Sequence, residues 1–457
     1  MKRKIISALM TIALATSMLS GCGSKNEKVS ITIGNWPTKE QTSYEVVQKR
    51  LEEFKTAHPE WDVETSEFVY DTKSFTTTAA GGRLPTVWAA PFTEIELIAD
   101  AGYCADISDN IKEIGLDKII NPELLELVTG ENGEIWGLPH GAYAQGLTIN
   151  KKLFKEAGLV NADGTIMVPK TYDELAEFAA TIKEKTGKAG FTIPTMSNQG
   201  GWNFINIAWS YGTEFMKQGD DGKWIATFDS DEFKSALKWL YDMKWVHNAF
   251  PDDNFVDHNK RMQYLGTYQA AMTIAGPVEQ SLVTKYDMDM ADIACTRLPE
   301  GPAGRFSQTG GAVEFFDANA TDDEINAALR WYVEYGGFAM EMDEETVKKE
   351  EEATIASLEA GKIVLPKLAF PDFINRDGEE KLDEIRQKYA NVDYADYSDY
   401  YSFEDVTLRA EEPVCCQQLY AVMDSLIQEI LTNKDVDIDE AVAIAVNDFQ
   451  KNHLDNL

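Results

Sequence analysis

Residues 29–37 read Val-Ser-Ile-Thr-Ile-Gly-Asn-Trp-Pro, and this stretch decides the fold class. Its first five residues alternate apolar and polar side chains, which predicts a β-strand that ends at the Gly-Asn-Trp-Pro turn. Apolar residues at helical spacing follow over residues 41–57, and residues 61–69 read as a second strand. Strand, helix and strand in this order predict a parallel sheet with crossover helices, so we expect an α/β protein.

The ends of these strands locate the first candidate binding residues. Residues 86–90 form a third predicted strand, which is apolar enough to be buried on both faces. In parallel sheets, ligands bind beyond the carboxyl ends of the strands. The residues that follow the predicted strands are therefore expected at the mouth of a site, and they are Asn35, Trp36, Pro91, Phe92 and Glu94.

Strand and helix patterns continue to alternate along the chain. Residues 147–150 read as a strand, and we expect a second lobe to begin close to them. Helix N-caps are predicted at Thr171, Thr321 and Asp437, because Glu follows each of them three residues later.

Two segments of the chain are rich in charged residues. The charge run 341–352 predicts a solvated helix face. Residues 393–401 carry Asp at every third position with Tyr between them. They fit an aromatic ligand platform or a surface helix, and we favour the surface helix.

The N-terminus predicts export from the cytoplasm. A basic start, Met1 to Lys4, precedes an apolar stretch from Ile5 to Leu19, which closes with Leu-Ser-Gly-Cys at residues 19–22. About 15 helical residues span only about 22 Å, too little for a stable bilayer crossing, so residues 1–21 read as a signal peptide. The segment resembles a bacterial lipoprotein signal, which implies diacylglycerol attachment at Cys22 and a tether over 22–28. An ordinary signal peptide with a chance Cys is the alternative.

The length and composition of the chain limit its possible domain organisation and binding partners. A chain of 457 residues is too long to fold around a single hydrophobic core, which suggests two lobes. The formal net charge of −35 repels phosphate backbones, so nucleic acid is not an expected partner. Five scattered His do not have zinc-ligand spacing, and we expect neither a metal site nor a cofactor. Four Cys are expected as free or buried thiols, with one long-range disulfide left open, and they are Cys104, Cys295, Cys415 and Cys416.

Several segments together resemble one known family. These segments are residues 34–36 with 53–59, residues 85–88 with 97–107, residues 136–139 with 149–159 and 169–175, and residues 270–277 with 298–302 and 310–311. In their order and spacing they resemble family 1 of the extracellular solute-binding proteins, the maltose-binding-like, lipid-anchored sugar receptors of bacterial ABC importers.

The resemblance implies a fold and a division of the chain. The fold is the two-lobed α/β periplasmic-binding-protein type II (Venus-flytrap) fold with a ligand cleft between the lobes. Residues 29–140 with 277–318 would form the N-terminal lobe, and residues 141–276 with 319–457 would form the C-terminal lobe. We expect a monomer at the extracytoplasmic face of the bacterial membrane. It would capture a sugar, an oligosaccharide in the first instance, by hinge closure and deliver it to the ABC permease subunits.

Candidate ligand contacts follow from the chemistry of sugars. Sugars offer apolar C–H faces and a rim of hydroxyls, which need flat aromatic rings and placed polar groups. The aromatic candidates are Trp36, Phe92, Tyr143 and Trp202. The polar and loop candidates are Asn35, Lys39, Glu94, His140, Asn198, Asn203, Thr309 and Gly310. Many family members carry a Trp where this chain has Val278, so the orientation of the sugar is open.

Two other functions remain as alternatives. A receptor for a cation such as a polyamine would need several carboxylates inside the cleft. A lipid-anchored glycosidase would need two carboxylates about 5–10 Å apart across the sugar bond. The chain contains none of the Gly-x-Ser-x-Gly, His-Glu-x-x-His, P-loop or Gly-x-Gly-x-x-Gly motifs. We therefore expect binding without catalysis.

Overall fold

The computed structural model describes residues 28–457 apart from residues 40, 42, 72–73, 278, 368–370 and 403–404. The predicted signal peptide (1–21), the lipidation site Cys22, the tether up to residue 27 and Val278 lie outside the described residues. No described helix is both long enough and apolar enough to cross a membrane.

The described residues contain eleven strands. In chain order they are β1 Val29–Ile33, β2 Trp61–Thr65, β3 Val87–Pro91, β4 Leu138–Ala144, β5 Gly146–Asn150, β6 Met216–Gln218, β7 Trp224–Ala226, β8 Met272–Ala275, β9 Ile293–Thr296, β10 Phe306–Phe316 and β11 Thr407–Arg409.

Sixteen α-helices lie in the described part of the chain. In the first half they are α1 Tyr44–Ala57, α2 Phe75–Ala80, α3 Ile95–Asp100, α4 Ser108–Ile114, α5 Pro122–Leu127, α6 Lys151–Glu156, α7 Tyr172–Thr186 and α8 Gln199–Tyr211. In the second half they are α9 Asp231–Trp245, α10 His258–Gly266, α11 Gln280–Thr284, α12 Asp322–Glu334, α13 Glu344–Glu359, α14 Glu380–Tyr389, α15 Cys416–Thr432 and α16 Ile438–Asn452.

The predicted helix starts are confirmed. The Thr321 side chain accepts the Glu324 amide while Glu324 accepts the Thr321 amide, a complete capping box at α12. At the start of α7 the Thr171 side chain accepts the Glu174 amide, and at the start of α16 the Asp437 side chain accepts the Glu440 amide. The predicted solvated face corresponds to α13, in which no residue is buried.

The first lobe is built on a six-stranded sheet. Its order is β11-β10-β3-β1-β2, and β4 also pairs with β10. β1 runs parallel to β2 and β3, as the sequence predicts, whereas β10 runs antiparallel to β3 and β4. Apolar residues of β1, β3, β10 and α12 share one buried cluster beside this sheet. The carboxyl ends of the parallel strands therefore face one edge of the lobe.

The second lobe has its own core around a smaller sheet. The sheet order is β8-β5-β9, with all pairs antiparallel, and every residue of β5 is buried. Helices α7, α8, α9, α15 and α16 enclose a single apolar cluster with it. A further cluster covers part of this sheet and contains Tyr397 and Tyr400, both almost fully buried. The favoured reading of residues 393–401 as a surface helix is therefore wrong for these two tyrosines, which are core residues.

The packing differs from the expected division of the chain at two places. β9, within the predicted N-terminal segment 277–318, pairs with β5 of the second lobe. α12, within the predicted C-terminal segment, packs in the core of the first lobe. The pattern of apolar residues identifies a strand or a helix, but it does not say which sheet the element joins. The chain crosses between the lobes at β4 and within β10, and it returns to the second lobe between α12 and α15.

Helices α8 and α15 pack at close distance, and this contact generates a test. A Cβ on Gly201 would lie 2.5 Å from the Cα of Tyr420 and 2.6 Å from its carbonyl oxygen. Gly201→Ala should therefore destabilise the protein by about 1–3 kcal/mol, although helix propensity alone favours Ala by up to about 1 kcal/mol. Urea unfolding measures this change. Gly276→Ala is the control, because no described atom lies within 4 Å of its added Cβ. Equal stability of the two variants would contradict the contact.

Candidate functional site

A cavity of about 820 Å³ lies between the two lobes, and we call it the central cavity. Phe92 and Thr93 follow β3 on the first lobe, while Tyr143 of β4 and residues 309–311 of β10 come from the crossing strands. The second lobe supplies the opposite wall from α8, α10, the start of α11 and α15, with the segment before α15. The cavity is thus bounded by both lobes and by the strands that join them.

Two aromatic rings face the central cavity from different lobe elements. Tyr143 and Trp202 have ring centroids 6.4 Å apart and an interplanar angle of 60°. Tyr143 keeps 37% of its surface exposed, so its ring is available to a ligand. Glycines in β10 leave space for the aromatic side chains that line the cavity. A Cβ on Gly310 would lie only 2.5 Å from the Tyr143 hydroxyl. A Cβ on Gly311 would lie 2.5 Å from the Phe92 ring.

The position of Trp202 depends on how α8 begins. Asn198 has a left-handed φ of 65° and provides no side-chain cap. Instead, the carboxylate of Asp424 on α15 accepts the Asn198 amide at 2.7 Å and the Gly201 amide at 2.8 Å. A carboxylate at a helix N-terminus satisfies amides that have no partner within the helix. Asp424 therefore anchors the turn that presents Trp202 to the cavity.

A buried guanidinium forms part of the second-lobe wall. Arg261 is 1% exposed, and one of its terminal nitrogens donates to Asn203 Oδ1 at 2.7 Å and to the Ile274 carbonyl at 2.5 Å. The other lies 3.0 Å from Nδ1 of His258. Its Nε has no hydrogen-bond partner among the described residues, and neither has Oε1 of Gln145, another buried residue that lines the cavity. Unpaired buried groups of this kind can bind a polar ligand or water.

Burial and charge set the ionisation of this wall. Burial lowers the pKa of Arg261 to about 10, so it stays protonated at neutral pH. Burial and the neighbouring Arg261 charge lower the pKa of His258, which favours a neutral ring. Burial raises the pKa of Glu279, while the charge of Arg261 opposes that rise. The positive charge of the Arg261 guanidinium and the negative charge of the ionised Glu279 carboxyl thus partly offset the cost of burying each other.

Glu411 is a carboxyl group in the cavity wall, on the segment between β11 and α15. Gln308 Nε2 donates to its Oε1 at 2.8 Å, and the Tyr420 hydroxyl and the Trp202 indole also hydrogen-bond to it. Burial, supplemented by the charge of Glu94, raises the pKa of Glu411 to about 7, against the lowering effect of these donors. It therefore changes charge near neutral pH.

A second space continues the cleft, and we call it the outer cavity. It also measures about 820 Å³ and shares Thr93 and Gln417 with the central cavity. Trp224 lines it from the second lobe, and Glu94 lines it from the first lobe. The Glu94 carboxylate accepts hydrogen bonds from the Tyr70 hydroxyl and from Thr93 Oγ1. Because they share two lining residues, the two cavities adjoin each other within the cleft.

The structure brings half of the predicted contacts into the central cavity. Those that line it are Phe92, Tyr143, Asn198, Trp202, Thr309 and Gly310. Trp202 lies on α8 and not in a loop, and Thr309 and Gly310 lie within β10. Their role in binding stays a prediction. Glu94 lines the outer cavity instead.

The other predicted contacts lie elsewhere for identifiable reasons. Asn35 uses its Oδ1 to accept the Ala89 amide at 2.7 Å, and Trp36 packs on Trp331 with centroids 5.8 Å apart. Both residues border a separate surface pocket. Asn203 is fully buried and supports Arg261. Exposed Lys39 and His140 line neither cavity, and His140 lies beside Phe338 with centroids 5.7 Å apart.

Sequence reasoning did not find several of the wall residues. The polar ones are Gln145, His258, Arg261, Glu279, Glu411 and Gln417. Arg261 lies on a short polar helix, where its pattern is that of a surface residue. Glu411 belongs to a Glu-Glu-Pro segment with no motif of its own. Only the fold places these distant segments on one wall.

The arrangement of possible metal ligands and of the cysteines can be compared with the sequence-based expectations. In the described part of the chain, no group of three or more His, Cys, Asp or Glu is placed to hold a metal ion. All four cysteines in the described residues are free thiols, and they are Cys104, Cys295, Cys415 and Cys416. The open question of a disulfide among these four is thereby answered in favour of free thiols.

Residues 37–334 match the family of bacterial extracellular solute-binding proteins. The chain belongs to this family. Among curated relatives, it is 29% identical over 234 residues to a binding protein of Brucella abortus, covering 48% of this chain and 51% of that one. It is 26% identical over 221 residues to the maltooligosaccharide ABC transporter solute-binding lipoprotein of Streptococcus pneumoniae, covering 46% of each chain. The matched part of the chain spans about half the length of these relatives.

Solved structures extend the similarity to nearly the whole fold. The cyclic α-maltosyl-1,6-maltose binding protein of Arthrobacter globiformis superposes with a TM-score of 0.64 at 21% identity, covering 93% of this chain and 99% of that one. UgpB from Mycobacterium tuberculosis, solved in complex with glycerophosphocholine, gives a TM-score of 0.65 at 15% identity, covering 92% and 98%. At these identities the likeness establishes the two-lobed α/β fold that the sequence predicts.

The raised pKa of Glu411 gives a prediction for stability. The folded protein holds this proton up to about pH 7, whereas the carboxyl has an ordinary pKa of 4.5. Wild type should therefore lose stability relative to Glu411→Gln as the pH rises from about 4.5 to about 7, by about 1–3 kcal/mol after allowance for partial solvent screening. Urea unfolding of both proteins at several pH values measures the difference. A difference that stays constant over this range would contradict the prediction.

Proposed function

We propose that this protein is the extracytoplasmic receptor of an ABC importer and that it captures an uncharged oligosaccharide in the cleft between its lobes. The observation that carries the proposal is the central cavity, where the rings of Tyr143 and Trp202 line the same space as the polar side chains of Gln145, Asn198 and Glu411. Aromatic faces suit the C–H faces of sugar rings, and the polar groups suit their hydroxyls. The sugar-binding names of several relatives support the same class of ligand.

The balance of charge in the central cavity favours an uncharged ligand. Glu279 and Glu411 line it together with the single guanidinium of Arg261. An anionic ligand would meet more carboxylate than cationic charge once Glu411 is ionised, and like charges in a partly buried site are costly. This balance weighs against anionic ligands such as phosphorylated sugars.

Hinge closure is the proposed mechanism. The strands β4 and β10 cross between the lobes side by side, and both supply cavity residues. A ligand that contacts both lobes binds the closed state better, so it shifts the population toward that state. Delivery to permease subunits would follow from the closed state. We also propose that the protein acts as a monomer, without catalysis, and that a lipid on Cys22 holds it at the membrane.

A cationic ligand is the second candidate, because carboxylates also line the outer cavity. These are Glu94, Glu96, Asp100 and Asp455, with Lys223 as the basic residue among them. Glu96, Asp100 and Asp455 are exposed, so water and salt screen their charges. In the central cavity, Arg261 offsets part of the acidic charge. The geometry therefore supports the sugar more strongly than a polyamine.

A thermal-shift screen of the soluble chain from Ser24 onward tests the proposal. The ligands are maltotriose and longer maltooligosaccharides, arabinooligosaccharides, glycerophosphocholine and spermidine. A ligand that binds only the folded state at 100 times its Kd stabilises that state by about 2.7 kcal/mol. We expect a rise in Tm with one uncharged oligosaccharide series and no hydrolysis products after incubation. A rise with glycerophosphocholine or spermidine alone would overturn the proposal.

The aromatic wall gives a sharper prediction. Trp202→Ala should weaken oligosaccharide binding about 10- to 100-fold, because stacking on a ring and the apolar area of the indole are both lost. Isothermal titration calorimetry measures the change. Tyr241→Ala is the control, since Tyr241 lies on α9 outside both cavities, and its hydroxyl donates to the Lys434 carbonyl. Equal losses of affinity in the two variants would contradict a specific role for Trp202.

A further inference from the structure

Glu411 lines the central cavity and hydrogen-bonds to several elements of the fold. It belongs to the segment between β11 and α15, and its hydrogen-bond partners lie on three different elements: Gln308 on β10, Trp202 on α8 and Tyr420 on α15. One carboxyl group thus connects a crossing strand with two helices of the second lobe. Because the Trp202 indole is one of its donors, the same group also orients the aromatic wall.

The hydrogen-bond capacity of Glu411 indicates which ligand groups it accepts. An ionised carboxylate only accepts hydrogen bonds and has room for about four. Gln308, Tyr420 and Trp202 supply three donors, and the residue remains partly exposed to the cavity. The remaining acceptor position suits a ligand hydroxyl. A protonated Glu411 uses one of these positions for its own O–H, so it has fewer acceptor positions left for the three protein donors and a ligand hydroxyl.

The other titratable groups around Glu411 have distinct roles. Tyr143 on β4 has its pKa raised to about 12, and burial holds the pKa values of Tyr420 and Cys416 on α15 well above their ordinary ranges. These groups stay protonated between pH 5 and pH 8.5. Glu94 adds negative charge from the first lobe, and the carboxyl of Glu412 is its neighbour in the chain.

The groups on the far wall also face the cavity. They are His258, Arg261 and Glu279. Arg261 keeps its charge throughout this pH range because its pKa stays at about 10. His258 has a lowered pKa and Glu279 has a raised one, so a test of Glu411 needs variants that separate it from them.

We propose that Glu411 is a specificity-determining ligand contact that binds sugar hydroxyls only when it is ionised, so that oligosaccharide binding releases a proton as the pH falls below neutrality. This inference rests on the proposed function and adds to it a residue, a protonation state and a direction of pH dependence. The ionised carboxylate accepts from the ligand and at the same time repels sugar acids and phosphorylated sugars. Capture would therefore be strongest in neutral or alkaline surroundings.

Calorimetric titration across pH 5 to pH 8.5 tests the inference. The probe is maltotriose, followed by whichever uncharged oligosaccharide gives the largest thermal shift in the screen above. Since only the ionised form binds, Kd should rise by up to tenfold per pH unit below about pH 7 and level off above it. Titrations at pH 6 in buffers of different ionisation enthalpy should show release of up to about one proton per ligand.

Variants assign the proton to this residue. Glu411→Gln should bind more weakly at pH 8 and lose the pH dependence and the proton release. Glu412→Gln is the matched control, because Glu412 is an adjacent buried carboxyl that accepts the Trp209 indole at 3.0 Å and does not line either cavity. It should keep both effects, and Glu279→Gln should also keep the proton release. If Glu411→Gln does not fold, the wild-type proton release and the two other variants still decide the question.

The outcomes separate this inference from the proposed function. Sugar binding with a Kd that does not change with pH, tighter binding at acid pH, or proton release that persists in Glu411→Gln would each overturn the role of Glu411 and leave the sugar receptor intact. Absence of sugar binding at every pH would overturn the proposed function itself.

Discussion

The pairing of β10 with β4, where both strands cross between the lobes, is the constraint on which the cleft depends. Residues 306–308 pair with β11, while residues 309–316 pair with β4 and β3 of the same six-stranded sheet. Because β4 leads directly into β5, two hydrogen-bonded strands cross between the lobes side by side. In the proposed hinge closure, a small change in the backbone of this pair moves one core relative to the other without breaking either core. The cavity lies beside these strands, so the proposed ligand contacts and the proposed hinge include the same residues.

The second lobe holds its side of the cavity with buried polar groups and not with apolar packing alone. Asp424 caps α8 across a helix contact, Arg261 connects α10 to α8 and β8, and Glu411 joins α8, α15 and β10. Buried polar groups are costly unless they are satisfied, so such networks favour one arrangement of the helices over many similar ones. Arg261 and Gln145, which each keep one unpaired buried polar atom, also line the cleft.

The sequence predicted the first three strands and the first helix of the first lobe, and half of the predicted ligand contacts line the central cavity. Alternation in residues 29–33 and the helix pattern after them are local signals, and they correspond to β1 and α1. Tyr143 and Trp202 were found because aromatic residues beside Gly and Asn are typical of ligand-facing positions, and both line the cavity. The same reasoning selected Trp36, which packs against Trp331 in the first core. An aromatic residue after a strand can point toward solvent or toward the core, and local sequence does not distinguish the two.

Residue type and short-range spacing are therefore enough to establish the fold class, the acidic charge and the family. The tertiary structure alone decided which lobe β9 and α12 join and which side chains meet in the cleft. Glu411 and Trp202 are more than 200 positions apart, and only packing of α8 against α15 brings the carboxyl to the indole. Burial at that contact changes the ionisation of Glu411, and burial is a property of the folded chain.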